Sequence, residues 1–148
     1  MAKPFVKAAV DILGTMAGVQ AKAGIPFAKK ENQARGDVTG LVGLTGDKRG
    51  SISISFEKAC AIHIVKSMLG DAIEDILSDV KDAVGEITNM VSGQARVGLS
   101  AAGLSLQSGT PTVVMGDGHS IEHVTTGTVI AIPFSTPNGG FTIEFCFE

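Results

Sequence analysis

The sequence predicts an α/β (α+β) fold of two layers, with antiparallel β-hairpins forming a sheet packed against long helices. Three observations carry this. A proline-free stretch from Ser78 to Gly103 has helical apolar periodicity, two segments alternate apolar and polar residues beside glycine turns, and the order helix then hairpin occurs twice. In the first half VTGLVGL, a glycine turn and SISISF follow a helix; in the second, TGTVIAI, a glycine turn and FTIEFCF do the same. This internal pseudo-repeat leaves the segment 104–123 as an addition of the second half. At 148 residues and 44% apolar, the chain is sized for one domain over 1–148 with a real core.

Composition narrows the function classes. Charged residues are 18% of the chain and the net charge is −3, so there is no basic footprint for nucleic acid. Nineteen glycines with no Trp and no Tyr argue for tight turns and against an aromatic-lined ligand pocket. Cys60 and Cys146 form no CxxC pair and are too few for a disulfide framework. Lys3, Lys7 and Asp11 interrupt the N-terminus, so no clean secretory core is read there. No run approaches the ~18 apolar residues that span a membrane. A cytoplasmic protein is the expectation.

Taken in order, residues 4–20 read as a helix with Pro4 in its first turn and Val6, Val10, Leu13 and Ala17 inward, ended by Gly24-Ile25-Pro26. Residues 27–36 are polar enough for an exposed connection. Asp37–Leu44 and Ser51–Phe56 form a hairpin with one buried and one polar face, joined by a turn at 45–50. Glu57–Leu69 is a second helix with Ala61, Ile64, Val65 and Met68 inward, closed by Gly70. An acidic link, Asp71–Leu77, leads to the long helix. Leu104–Gln107 and Thr112–Met115 are short strands, 116–123 is a loop, and Val124–Phe134 with Phe141–Phe147 makes the last hairpin.

The long helix opens with Ser78-Asp79, either of which can cap it. Val80, Val84, Ile87, Val91 and Gly98 form the inner stripe, widened by Ala83, Met90 and Ala101. At about 100° per residue, Asp82, Glu86, Asn89 and Gly93 fall within roughly 60° of one another beside that stripe. The strip offers carboxylates, a carboxamide that both donates and accepts, and a residue with no side chain to block a partner. Gly85, Gly93 and Gly98 each weaken a helix by about 1 kcal/mol relative to alanine, so close approach of another surface is the expected reason for them. On residue chemistry alone, the strip also reads as a solvated helix flank. Under the pseudo-repeat, Asp11-Ile12-Leu13-Gly14 sits where Glu86-Ile87-Thr88-Asn89 sits, keeping an acid and losing the amide.

Asp82-x3-Glu86-x2-Asn89-Met90, continuing into Val91-Ser92-Gly93-Gln94-Ala95, resembles the signature helix of the CheC/CheX/FliY family of chemotaxis phosphatases. Pro111 falls close to the place of a proline in that family's motif, and Thr45–Ser51 resembles the hairpin turn of CheX-type members. One Glu-x2-Asn helix and the chain length fit CheX better than CheC, which usually carries two. The resemblance implies a phosphatase acting on the phospho-aspartate of a CheY-type receiver. Asn89 would orient the attacking water, Glu86 would pair with the receiver's lysine, and Asp82 and Gly93 would serve docking. It implies no cofactor of the protein's own, Mg²⁺ being held by the receiver. It also implies a homodimer joined through its sheets, for which the apolar strand Phe141–Phe147 is the expected edge. A docking module that binds a receiver or flagellar partner through the same helix without turnover is the alternative.

Three further patterns carry less. His119-Ser120-Ile121-Glu122-His123 matches H-x-x-E-H, but a glycine turn before it and a β-branched run after it suit a loop better than the helix that zinc chemistry requires. Cys60 and His63 lie one helical turn apart among apolar residues, which suits a buried thiol better than a nucleophile. The turn at 46–50 lacks P-loop spacing and leads into a strand.

Overall fold

Two hairpins meet side by side at the centre of one antiparallel sheet. The computed structural model describes residues 2–29, 36–70, 75–116 and 128–147. Its elements are α1 (Ala2–Ala17), β1 (Lys22–Ala23), β2 (Phe27–Lys29), β3 (Val38–Gly46), β4 (Gly50–Phe56), α2 (Lys58–Leu69), α3 (Ile76–Ala101), β5 (Leu106–Ser108), β6 (Thr112–Met115), β7 (Val129–Thr136) and β8 (Gly139–Phe147). The strand order is β1-β7-β8-β4-β3-β5, with β2 also on β7 and β6 also on β3. Hairpin β3–β4 therefore abuts hairpin β7–β8 through β4 and β8, in a register that pairs Ile52 with Phe145, Ile54 with Ile143 and Phe56 with Phe141.

The pseudo-repeat is deeper than the sequence suggests. Residues 22–29 were expected to form a helix end and an exposed connection, yet they are β1 and β2, the counterparts of β5 and β6. Each pair of short strands borders the outer strand of the other half's hairpin: β1 and β2 on β7, β5 and β6 on β3. The described part of segment 104–123 is thus no unmatched addition. Nor is β8 an edge, because it lies between β7 and β4. Phe141, Ile143 and Phe145 of this strand join the core shared with the helices of its own chain.

Helix boundaries follow local chemistry. α1 stops at Ala17 because Gly18 takes a left-handed conformation (φ 62°), which lets the Val19 N–H fold back onto the Leu13 carbonyl at 3.1 Å. Its inner face is Phe5, Ala8, Ala9, Leu13 and Ala17, while Val10, expected inside, is exposed. α2 ends at Gly70 as expected, with φ 57°. α3 starts at Ile76, ahead of the expected Ser78, because Asp75 caps it and accepts from the Leu77 N–H at 3.2 Å. At its far end the Leu104 N–H bonds to the Leu99 carbonyl at 2.9 Å and the Gly103 N–H to the Ser100 carbonyl at 3.0 Å, a Schellman ending with Gly103 at φ 95°.

The core joins Ile52, Ile54, Phe56 and Ile143 of the sheet to Val80, Val84, Ile87 and Val91 of α3, Ile64 and Val65 of α2, and Phe5 and Leu13 of α1. Phe5 stacks on Phe145 with ring centroids 4.4 Å apart. The opposite face of the sheet, predicted to be polar, is polar and buried as well. Ser51, Ser53, Ser55, Thr39 and Glu144 are inaccessible, and the Thr39 and Ser55 hydroxyls are hydrogen-bonded at 2.8 Å. There Lys29 Nζ on β2 donates to Glu144 Oε2 on β8 at 2.8 Å, with both side chains 1% exposed. Removing one partner of such a pair strands a buried charge, at a cost of about 3–5 kcal/mol. Lys29→Ala is therefore expected to lower unfolding stability by about that amount in a denaturant titration. A change under about 1 kcal/mol would show that β2 is not clamped by this pair.

Candidate active site

α3 is placed by a close approach. A Cβ at Gly40 of β3 would collide with the Thr88 side chain, so glycine there lets the helix settle onto the strand. Thr88 is fully buried, and its hydroxyl donates to the Val84 carbonyl at 2.7 Å. Gly40 in turn pairs with Val113 of β6, and a Cβ on Gly85 of α3 would lie 3.4 Å from Val113 Cγ2. Thr88 and Gly85 thus bring one flank of α3 close to β6.

Along that flank the predicted strip is assembled as expected. Asp82, Glu86 and Asn89 are exposed, and Gly93 is half-buried. The first three line an open groove of about 640 Å³ with Lys81, Gly85, Pro111, Thr112 and Val113. The Asn89 backbone carbonyl accepts from Ser92 Oγ at 3.2 Å, and the residue itself lines the groove. Pro111, remote in sequence, forms the facing wall. Thr112 and Val113 escaped the sequence reading because only the pairing of β6 with β3 brings that strand beside the helix, and Lys81, on α3 itself, was not singled out.

The three helix glycines have different reasons. At Gly98 a Cβ would come within 3.0 Å of Pro4 Cβ, so this residue serves the crossing of α1 and α3. Gly85 serves β6. Among the described residues, a Cβ at Gly93 would meet only Arg96 Nη2, at 3.9 Å, so none of them requires glycine there.

The other candidates lie elsewhere or carry no chemistry. Asp11, matched with Glu86 by the pseudo-repeat, is engaged within the fold: it accepts from Lys7 Nζ at 2.7 Å and Gln94 Nε2 at 2.8 Å. The Lys7 bond, and then that from Gln94, hold its carboxyl below the usual aspartate range. Cys60 is buried, and desolvation pushes its thiol up to about 11, so no thiolate is on hand at neutral pH. His63 Nε2 lies 3.5 Å from the Ser67 hydroxyl. The turn at 45–50 is tied to the exit of α3, where the Ser105 N–H donates to Asp47 Oδ2 at 2.7 Å. His119, Glu122 and His123 lie outside the described residues, as does the predicted strand start at 124–127.

Fold and candidate site together present one helix face that carries an acid and an amide beside an open groove. Such a surface suits a macromolecular partner better than an enclosed small substrate. The family model for the chemotaxis phosphatase CheX matches residues 38–135. The CheY-P phosphatase CheX of Thermotoga maritima is 28% identical over 119 residues, covering 80% of this chain and 76% of that protein. The crystal structure of the chemotaxis protein CheX from Desulfovibrio desulfuricans superposes with a TM-score of 0.95 at 60% identity, covering 99% of this chain and 98% of that one. The CheX–CheY–BeF3–Mg²⁺ complex from Borrelia burgdorferi shares the fold, with a TM-score of 0.82 at 23% identity over 99% of this chain and 96% of that one. The chain belongs to the CheX family of chemotaxis phosphatases.

Gly93 allows a test of why the strip is built as it is. Alanine fits the space and is a better helix former, so Gly93→Ala is expected to raise stability by up to about 1 kcal/mol. If the space serves a partner, the same variant binds a CheY-type receiver more weakly. Thermal unfolding and a binding titration read the two effects, and unchanged binding would remove Gly93 from the docking surface.

Proposed function

We propose that the protein dephosphorylates the phospho-aspartate of a CheY-type receiver, with Asn89 orienting the attacking water and Glu86 pairing with the receiver's active-site lysine. The observation that carries this is the exposure of Glu86 and Asn89, one helical turn apart, on a helix fixed by the Gly40–Thr88 contact. Kinship with a CheY-P phosphatase supplies the substrate class.

An acyl phosphate on a receiver is already activated, and the charge on the phosphoryl group is met by the receiver's own Mg²⁺ and lysine. What a second protein can add is a positioned water, since phosphoryl transfer depends mainly on placement and electrostatics. The Asn89 carboxamide accepts from the water through its oxygen and donates through its nitrogen. The water oxygen attacks phosphorus, the bond from phosphorus to the aspartate oxygen breaks, and inorganic phosphate leaves while the carboxylate is regenerated. Glu86 fixes the register of the encounter, and Asp82 and Gly93 contribute docking. The protein needs no cofactor of its own, and the reaction belongs to the cytoplasm, where receivers signal. A homodimer joined through sheet edges is part of this reading. With β8 interior, the available edges are those bearing β1 and β2 or β5 and β6.

Phosphate release from a phosphorylated CheY-type receiver with Mg²⁺ tests the assignment. Asn89→Ala is expected to lower the stimulated rate by about 100-fold with binding retained, the scale of losing placement at the reacting centre. An unchanged rate leaves the protein as a docking module that uses the same helix.

A further inference from the structure

We propose that the receiver's contact extends past Lys81 to an apolar pocket at the start of α3, which takes one apolar side chain from the receiver. This inference rests on the receiver reading above and adds a second anchor point to it.

Neighbouring hollows along α3 share lining residues. Lys81 lines the groove that holds Glu86 and Asn89, and it also lines a second depression with Leu77, Val114 and Met115. Leu77 and Met115 in turn border a more enclosed pocket of about 180 Å³, walled by Ile62, Ile76 and Val80. That volume lies below the roughly 300–1,000 Å³ of small-molecule sites, and it suits a single inserted side chain. Leu77, Lys81, Gly85 and Asn89 recur every fourth residue and form one ridge of the helix. From Leu77 to Asn89 that ridge runs about 18 Å at 1.5 Å per residue, within the roughly 28 Å breadth of a partner patch of about 800 Å².

Among the described residues, this end of the helix leaves two apolar side chains exposed. Leu77 is 66% exposed and Ile76 38% exposed in the first turn of α3, where polar or acidic residues would serve the helix at least as well. An apolar side chain beside an apolar hollow is the arrangement found where a few anchors dominate binding. The receiver is the occupant because Lys81, Leu77 and Met115 link this hollow, side by side along the helix, to the groove where its phosphorylated site would sit. An anchor of this kind strengthens association without touching the reacting atoms, so its loss raises KM and leaves kcat alone.

The experiment titrates a CheY-type receiver, activated with beryllofluoride and Mg²⁺, into wild type, Leu77→Asp, Leu77→Ser and Asn89→Ala. Circular dichroism confirms that each variant is folded. The exposed position makes both Leu77 variants foldable. Leu77→Asp is expected to bind at least about tenfold more weakly, and Leu77→Ser to bind more weakly to a smaller degree. In turnover assays both are expected to keep kcat within about twofold of wild type. Wild-type affinity in both Leu77 variants overturns the proposal, as does a fall in kcat at unchanged KM. Normal turnover by Asn89→Ala overturns the water-positioning reading instead, while leaving the Leu77 result to stand or fall by itself. No binding by wild type overturns both.

Discussion

The seating of α3 on β3 depends on one pair of residues, Gly40 beneath and Thr88 above, whose side chain fills the space that any Cβ at position 40 would occupy. Thr88 is the residue before Asn89, so the contact that pins the helix also sets the azimuth of the amide. Its hydroxyl is satisfied within the helix by the Val84 carbonyl, so burying it leaves no orphaned polar group. One face of a single turn is thereby locked in the core while the next residue is offered to solvent. The water-placing role proposed for Asn89 would depend on such stiffness, because a displacement of about 1 Å can cost about 100-fold in rate.

The same economy of small residues recurs along α3. Gly98 admits Pro4 of α1, Gly85 lies over Val113 of β6, and Gly93 has open space above it. Three residues that look alike in sequence thus serve a helix crossing, a groove wall and an outward-facing gap. Only a structure separates them, since the difference lies in what stands opposite each one.

Legibility in the sequence followed the range of the interaction. The inner stripe of α3, with Val80, Ala83, Val84, Ile87 and Val91 buried, could be read because periodicity is local. So could the spacing of Glu86 and Asn89. In α1, Leu13 and Ala17 were read correctly as inward, but Val10 was misplaced because much of the inner face is alanine, which suits close contact and adds little to the apolar signal. β1 and β2, of two and three residues, are too short to show alternation. The start of α3 was ambiguous because Asp75, Ser78 and Asp79 are all able to cap, and the structure uses the first. Strand order is a property of the whole chain, which is why β8 resembled an edge and why the wall formed by Pro111, Thr112 and Val113 was not foreseen as one surface.

The exchange of short strands between the two halves bears on how the molecule comes apart. Since β1 and β2 complete the second half's hairpin and β5 and β6 complete the first half's, neither half holds a finished sheet by itself. Much of the pairing is between residues distant along the chain, such as Lys22 with Ser135 and Leu41 with Thr112. Such a topology favours slow folding and all-or-none unfolding over piecemeal opening. The backbone amides in the middle of α3 should then exchange with solvent only when the whole molecule opens, which keeps the acting helix among the most protected parts of the chain even though its outer face is bare.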